Sequence, residues 1–137
     1  MSPDSLPQEV QDLLGGPVES YGHLAILLLA HGQPMRDWSC AELAETLRIP
    51  TQLAEGAVSG LRAAGLLHAD PKADVLRYKY ARGATDGAIG QLALEYTQNP
   101  TRVLKLLSAN AIERVRTSAV HAFADAFVLR KKDRDRG

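Results

Sequence analysis

Residues 39–70 read SCAELAETLRIPTQLAEGAVSGLRAAGLLHAD, and this stretch carries the clearest structural pattern in the chain. Ser39 followed three residues later by Glu42 is a capping box, in which hydroxyl and carboxylate satisfy each other's free backbone amides, so a helix of about two turns is predicted to begin near Cys40. Pro50 disfavours helical geometry at the residue before it, which places a short turn after this helix. The stretch therefore predicts two helices separated by a tight turn.

The second helix of the stretch is predicted to begin at about Thr51 and to end at Gly65, which is placed to adopt the left-handed cap. Its inner face is formed by apolar residues at helical spacing: Ala54, Ala57, Val58 and Leu61. Small Ala44 stands where the two helices cross, so their backbones can approach closely. This is the geometry of a helix-turn-helix.

Residues 66–81 then show the pattern of a β-hairpin whose turn is formed by residues 70–74. In the second strand, side chains alternate with the period of two expected of a half-buried strand. Leu76, Tyr78 and Tyr80 alternate in this way with Val75, Arg77 and Lys79.

Two helices at this spacing followed by a β-hairpin resemble a winged helix-turn-helix, as in MarR-like bacterial transcription regulators. The resemblance lies in an ELA…L…L…GLL pattern, formed by Glu42, Leu43, Ala44, Leu47, Ile49, Leu61, Gly65, Leu66 and Leu67. Residues 122–131, AFADAFVLRK, also resemble the end of a group of small, mostly uncharacterised bacterial winged-helix proteins. The implied fold is mainly α with one β-hairpin, a winged helix-turn-helix with additional C-terminal helices.

The resemblance implies that the exposed face of the second helix enters the major groove, where its first residues meet base edges and basic residues meet phosphates. The candidate DNA contacts on this helix, the turn before it and the hairpin are Arg48, Thr51, Gln52, Ser59, Arg62, Arg77, Lys79 and Arg82. Glutamine can bond adenine at two positions, and threonine offers a hydroxyl and a methyl group. The face thus contains side chains able to recognise bases.

The same exposed face also carries Glu55, Gly56 and Gly60, which count against strong DNA binding. Glu55 repels phosphate, and the glycines lower helicity and contact area. Few phosphate contacts predict weak binding by a monomer at cellular salt. The basic residues of the hairpin have a second interpretation, because such residues on an exposed strand edge also prevent aggregation.

Further helices are predicted on both sides of this unit. Residues 6–14 form a short helix, residues 20–31 a central helix buried on several sides, and residues 86–97 a third. After Asn99 and Pro100 a helix is predicted that ends at residues 108–110, followed by a separate long C-terminal helix. The long helix has an apolar face that includes Ile112, Val115, Phe123 and Phe127, which either close the core or pair with a second copy.

We therefore expect a winged-helix domain with N-terminal helices over residues 1–82, a C-terminal helical extension over residues 83–130 and a basic tail over residues 131–137. Helices that flank a winged helix pair with their symmetry mates in proteins of the MarR-like type, so the resemblance implies a homodimer. Ile112, Val115, Phe123 and Phe127 are the candidate dimer or partner interface.

The chain has 137 residues, 45% of them hydrophobic, and its 16 basic residues balance 16 acidic ones. This is the composition of a single folded domain rather than a disordered chain. The balance hides an asymmetry, because residues 1–38 contain one basic and five acidic residues whereas residues 102–137 contain nine basic and four acidic ones. With zero net charge, nucleic-acid binding requires a local basic patch.

Metal binding and catalysis find no support in the sequence. The four histidines, His23, His31, His68 and His121, lie on different predicted elements or too far apart to share a metal, and no His-x₃-His or Cys-x₂-Cys spacing occurs. No phosphate-binding glycine loop is present either. Cys40 is expected at a helix N-terminus, which lowers a thiol pKa in principle and suggests redox sensing, with a partly buried residue beside Trp38 as the alternative. We expect a non-enzymatic protein without a cofactor.

The single cysteine excludes an internal disulfide, and the N-terminus lacks the pattern of a secretory signal, so a reducing cytoplasmic setting is expected. The longest apolar run, residues 24–30, is too short to span a bilayer, so no membrane partner is expected.

Two functions of different classes remain open. The first is a dimeric transcription regulator that binds double-stranded DNA through residues 40–82. The alternative is a winged-helix module that binds a protein partner through the same helix or the C-terminal helix and does not bind DNA.

Overall fold

The computed structural model describes residues 6–70 and 76–136, with side chains described up to residue 120. Six helices and three short strands follow one another along this part of the chain. In order they are α1 (Gln8–Gly15), α2 (Tyr21–Gly32), β1 (Asp37–Trp38), α3 (Cys40–Leu47), α4 (Thr51–Ala63), β2 (Leu67–Ala69), β3 (Tyr78–Tyr80), α5 (Asp86–Gln98) and α6 (Pro100–Arg136).

The helix-turn-helix predicted from the sequence is confirmed as α3 and α4. Both halves of the capping box are present, because the Glu42 amide donates to Ser39 Oγ and the Ser39 amide donates to Glu42 Oε1, each at 3.1 Å. Arg48 ends α3 in the left-handed conformation, with φ of 55°. Gly65, with φ of 79°, follows α4 and turns the chain into β2, as predicted.

Three strands form one antiparallel sheet in the order β1-β3-β2. The two hairpin strands pair Leu67 with Tyr80 and Ala69 with Tyr78, and β1 adds a third strand by pairing Trp38 with Tyr78. The sequence did not predict β1, because a strand of two residues is too short to show a period. It lies immediately before α3 and joins the sheet to the helix-turn-helix.

Leu76 does not share the burial of Tyr78 and Tyr80, with which it alternates in the predicted pattern. Its side chain is 58% exposed, because β3 begins only at Tyr78 and Leu76 precedes the paired part of the strand. Tyr78 and Tyr80 are buried. Residues 71–75, with most of the predicted turn and Val75, lie outside the described residues.

One hydrophobic core joins the helices on both sides of the hairpin. It contains the fully buried Leu24, Ile26 and Leu27 of α2, which confirms the prediction of a buried central helix. Residues from α1, α5 and the first turns of α6 complete the same core, among them Val10, Leu14, Ile89, Leu92, Val103 and Leu107. The helices after residue 82 thus share a core with the winged-helix unit.

The helix break predicted at residues 108–110 is wrong, because α6 is a single helix of 37 residues. Asn110 lies inside it and its Nδ2 donates to the backbone oxygen of Leu14 at 3.0 Å. A contact with α1 therefore stabilises the helix at Asn110, a residue whose intrinsic helix propensity is low. Residues 131–136 of the predicted tail belong to α6.

None of the helices in the described part of the chain combines the length and the apolar character needed to cross a membrane.

Candidate nucleic-acid interface

Helix α4 presents a polar face to solvent opposite its buried face. The apolar residues predicted for the inner face, Ala54, Ala57, Val58 and Leu61, are all buried. The candidate DNA contacts on α4 and the preceding turn are all exposed: Arg48, Thr51, Gln52, Ser59 and Arg62. The structure thus brings these five side chains to the accessible side of one helix and its turn.

The exposure of two residues of α4 was not predicted from the sequence. Gly60 was expected on the exposed face but is half-buried, because its backbone lies against His23 of α2. Leu53 was not singled out, yet 60% of its side chain is exposed beside Gln52. The sequence could have indicated this exposure, because Leu53 is an apolar residue that does not belong to the inner face of α4.

His23 fixes the distance between α2 and α4. Its Nδ1 lies 2.7 Å from Oγ of Ser20, the residue that caps α2. Its Nε2 faces α4 so closely that a Cβ placed at Gly60 would lie only 2.8 Å away. Burial lowers the pKa of His23, Arg114 of α6 lowers it further, and Glu19 acts in the opposite direction.

Arg77, predicted as a DNA contact on the hairpin, forms ion pairs within the chain. Its Nε donates to Oδ1 of Asp37 at 2.8 Å, and its Nη2 lies 2.7 Å from Oε1 of Glu42. The same Nη2 donates to the backbone oxygen of Asp37 at 3.3 Å. These bonds raise the pKa of Arg77, chiefly through the hydrogen bond to Asp37.

The other two basic residues of the hairpin differ from Arg77. Lys79 is half-buried and Arg82 is exposed, and neither forms an ion pair within the described residues. The structure therefore leaves the charges of Lys79 and Arg82 uncompensated, whereas two carboxylates surround that of Arg77.

Glu42 links the capping box to the hairpin. Besides accepting from the Ser39 amide, it faces Arg77 and also Arg36, whose Nη2 lies 3.8 Å from its Oε2. The hydrogen bond from the Ser39 backbone lowers the pKa of Glu42, and Arg77 lowers it further. The Arg36 guanidinium stacks 3.7 Å above the centre of the Trp38 ring, which adds a cation–π contact to this region.

A second polar cluster joins β3 to the helices behind it. The Tyr80 hydroxyl donates a short hydrogen bond to Asp86 in the first turn of α5, and the His31 ring meets the Tyr80 ring edge-on at 5.1 Å. Burial and the bond to Asp86 raise the pKa of Tyr80 well above its ordinary value. The hairpin is therefore attached to α2 and α5 as well as to α3.

Helix α6 carries exposed apolar side chains beyond its contact with the core. Ile112 and Val115, two of the four predicted interface residues, are 62% and 70% exposed. Val120, which the sequence analysis did not single out, is 61% exposed. We call these three residues the α6 apolar surface. Phe123 and Phe127, the other predicted interface residues, lie outside the described side chains.

Arg114 attaches α6 to the turn between α1 and α2. Its Nη2 donates to the backbone oxygens of Leu14 and Gly16, each at 3.2 Å, and its Nη1 donates to that of Glu19 at 3.3 Å. Because these carbonyls end α1 or follow it, Arg114 satisfies acceptors that have no partner within the helix. The α6 apolar surface thus lies next to a firm attachment point.

The lowered thiol pKa expected for Cys40 at a helix N-terminus is not found. Burial and the nearby carboxylate of Glu55 raise the pKa of the Cys40 thiol. Within the described residues, no group of three or more histidine, cysteine, aspartate or glutamate side chains could hold a metal ion.

No family model and no curated protein matches the sequence. Among solved structures, the E41A mutant of ZitR from Lactococcus lactis is similar, with 16% identity over 79% of this chain and 75% of that chain and a TM-score of 0.50. The adhesin competence repressor AdcR from Streptococcus pyogenes shows 19% identity over 79% and 81% of the two chains, with a TM-score of 0.49. Reduced HlyU from Vibrio cholerae shows 18% identity over 61% and 81%, with a TM-score of 0.48.

At these identities the similarity is one of fold. The predicted fold, mainly α with a β-hairpin and arranged as a winged helix-turn-helix, is confirmed.

Proposed function

We propose that this chain is a DNA-binding transcription regulator of the winged-helix type that acts as a homodimer and uses α4 to contact bases. The observation that carries the proposal is the two-sided character of α4, whose apolar face is buried while Thr51, Gln52, Ser59 and Arg62 are exposed. In helix-turn-helix proteins the second helix lies in the major groove with its N-terminal residues on base edges.

The first turn of α4 supplies the base contacts in this proposal. Thr51 and Gln52 are its first two residues and both are exposed. A glutamine amide matches the donor and acceptor of adenine in the major groove, and a threonine methyl can contact thymine. Ser59 and Arg62 lie two and three turns further along, where Arg62 meets phosphate.

Attraction to the phosphate backbone rests on few residues. Arg48, Arg62, Lys79 and Arg82 are the candidate DNA contacts whose positive charges have no ion pair within the described residues. Each phosphate contact adds about 0.9 to the slope of log K against log salt, so one subunit alone binds weakly at cellular salt. A dimer doubles the number of contacts, and for this reason dimerisation is part of the proposal.

The α6 apolar surface is the proposed dimer contact. Exposed isoleucine and valine side chains close together on one helix are costly in water, and a symmetric pairing of two α6 helices removes such side chains from it. The charge asymmetry of the chain also favours a second copy, because the acidic N-terminal region of one subunit attracts the basic C-terminal region of the other.

The role of α4 is tested by binding to a labelled mixed-sequence DNA duplex of about three helical turns, titrated with salt. Arg62→Met is expected to lower the salt slope by about 0.9, because one phosphate contact is lost from each bound subunit that uses it. Lys105→Met removes an exposed positive charge from α6 and should leave the slope unchanged. Equal effects of the two variants would show that net charge, rather than the α4 surface, governs binding.

One observation favours the alternative function, a protein–protein interaction module. The exposed face of α4 also carries Leu53, 60% exposed, and the acidic Glu55, a combination better suited to a protein partner than to phosphate. Under this alternative the wild-type chain shows no binding to the duplex even at about 20 mM salt, where phosphate attraction is strongest.

A further inference from the structure

We propose that Arg77 positions the hairpin of β2 and β3, which we call the wing, for DNA binding and does not itself contact phosphate. The proposal rests on the proposed function and deepens it, because it assigns a different role to one of the basic residues of the hairpin. It starts from the Arg77 network, which we define as Arg77 with its partners Asp37 and Glu42.

The network joins three elements that must be correctly placed for DNA binding. Arg77 directly precedes β3, Asp37 lies in β1, and Glu42 is in the first turn of α3. One guanidinium makes contacts of 2.8 Å and 2.7 Å with the two carboxylates. The base of the wing is thereby fixed to the start of the helix-turn-helix.

Glu42 makes this attachment rigid. Its carboxylate is already fixed by the capping box, since Oε1 accepts from the Ser39 amide at 3.1 Å. Asp37 is similarly fixed by its place in β1, where it pairs with Lys79 of β3. Both acceptors are therefore held by backbone contacts, and the Arg77 side chain is oriented by two groups that cannot easily move apart.

The planar shape of the guanidinium is essential to this arrangement. Arginine presents donors in a fixed fork and can bond two carboxylates in different directions at once, whereas a lysine ammonium is a single point charge. A phosphate contact makes no such demand, because lysine and arginine both bind phosphate. Replacing Arg77 by lysine therefore separates the two roles.

The charge balance agrees with a positioning role. Two carboxylates lie within ion-pair distance of the one guanidinium, and Arg36 also faces Glu42, so the charges here are balanced and offer no net attraction to phosphate. Lys79 and Arg82 remain the phosphate contacts of the wing in the proposed function.

The experiment compares Arg77→Lys and Arg77→Met in salt titrations with the mixed-sequence duplex. We expect both variants to lose affinity by a similar factor, about ten-fold, and both to keep the wild-type salt slope. Glu42→Gln should lose affinity in the same way, because glutamine preserves the capping box but weakens the bond to Arg77. A wild-type slope and affinity in Arg77→Lys, with a slope lower by about 0.9 in Arg77→Met, would overturn the proposal.

A second measurement without DNA keeps this inference separate from the proposed function. Amide hydrogen exchange at Tyr78, which pairs with Trp38 of β1, is expected to accelerate several-fold in both Arg77 variants and in Glu42→Gln. Arg82→Met, which leaves the Arg77 network intact, should exchange at the wild-type rate. Unchanged exchange in the Arg77 variants refutes the positioning role, whereas absent DNA binding by the wild type with accelerated exchange refutes only the proposed function.

Discussion

Gly60 is the residue at which the α2–α4 contact depends most directly on a missing side chain. A Cβ at this position would meet His23 Nε2 at 2.8 Å, while one at Gly56, a turn earlier on the same helix, would meet nothing within 4 Å in the described part of the chain. The two glycines are therefore a matched pair for testing whether close packing or helix propensity dominates.

Gly56→Ala is expected to raise the free energy of unfolding by about 0.5–1 kcal/mol, because alanine is the better helix former. Gly60→Ala should not show this gain. Its free energy of unfolding should be at least about 1 kcal/mol lower than that of Gly56→Ala, because the His23 ring must shift. Urea unfolding measures both. In a His23→Ala background, Gly60→Ala should again raise the free energy of unfolding. Equal stability of Gly56→Ala and Gly60→Ala would show that the His23 ring shifts at no cost in stability.

The lowered pKa of His23 predicts a specific pH dependence of stability. The folded protein binds the proton less readily than the unfolded chain, whose histidine titrates near 6.5, so stability is complete above that pH and falls as the pH drops below it. His23→Gln should reduce this loss between about pH 7.5 and pH 5.5, as urea unfolding at the two values would show. His68→Gln, at an exposed position of β2, is the control and should leave the loss unchanged.

The Cys40 thiol should react slowly with thiol-specific reagents, and its reaction rate should depend on Glu55. Because the Glu55 carboxylate raises the thiol pKa, Glu55→Gln is expected to increase the thiolate fraction and accelerate reaction with a thiol-specific reagent near pH 8. Glu45→Gln removes an exposed carboxylate of α3 as a control. Equal acceleration in both variants would indicate a general charge effect.

At the scale of elements, local signals predicted α3, α4 and α5 well. The capping box at Ser39, the proline at position 50 and the glycine at position 65 are short-range determinants, and each is found in its expected role. The errors arose where long-range contacts decide. β1 exists only through pairing with β3, and α6 continues through Asn110 because that side chain bonds to Leu14, 96 residues earlier.

In the candidate site, too, local features were predicted from the sequence and long-range contacts were not. Exposure of Thr51, Gln52 and Arg62 followed from the helical period of α4, so sequence alone predicted it. The ion pairs of Arg77 could not be predicted, since Asp37 lies 40 residues away and its approach depends on β1. Sequence patterns identified a basic residue there but carried no information about its partners.

The attachment of α6 to α1 gives a prediction for Arg114. Arg114→Met should lower the free energy of unfolding by about 1–3 kcal/mol, because three backbone carbonyls lose a charged donor. Arg116→Met on the same helix breaks only an exposed pair with Glu113 and should cost less than about 0.5 kcal/mol. Urea unfolding of both variants provides the comparison, and similar losses would contradict a special role for Arg114.

At the scale of the whole molecule, the balanced charge of the chain conceals a division by region. Nine of the sixteen basic residues lie in the last 36 residues, whereas the first 38 residues contain five acidic residues and one basic one, with a nearly neutral winged helix between them. Two carboxylates of the winged helix and β1 further surround Arg77. Under the proposed function, we therefore expect DNA binding by this chain to need the phosphate contacts of a second subunit.

Dimerisation through α6 predicts that Val115→Asp yields a monomer, because a charge would be buried in the proposed contact. Sedimentation equilibrium measures the mass, and Thr117→Asp, at an exposed position outside the α6 apolar surface, is the control. The monomer should bind the duplex with about half the wild-type salt slope, since half of the phosphate contacts are lost. A wild-type chain that sediments as a monomer would contradict the dimer.

Binding of the unmodified chain to the mixed-sequence duplex, followed from about 20 mM salt upward, tests the regulator function most directly. We expect clear binding at the lowest salt and a linear fall of log K with log salt, with a slope of about −7 if Arg48, Arg62, Lys79 and Arg82 act in each subunit of a dimer. Absence of binding at about 20 mM salt would contradict DNA binding and leave the protein-interaction module as the function.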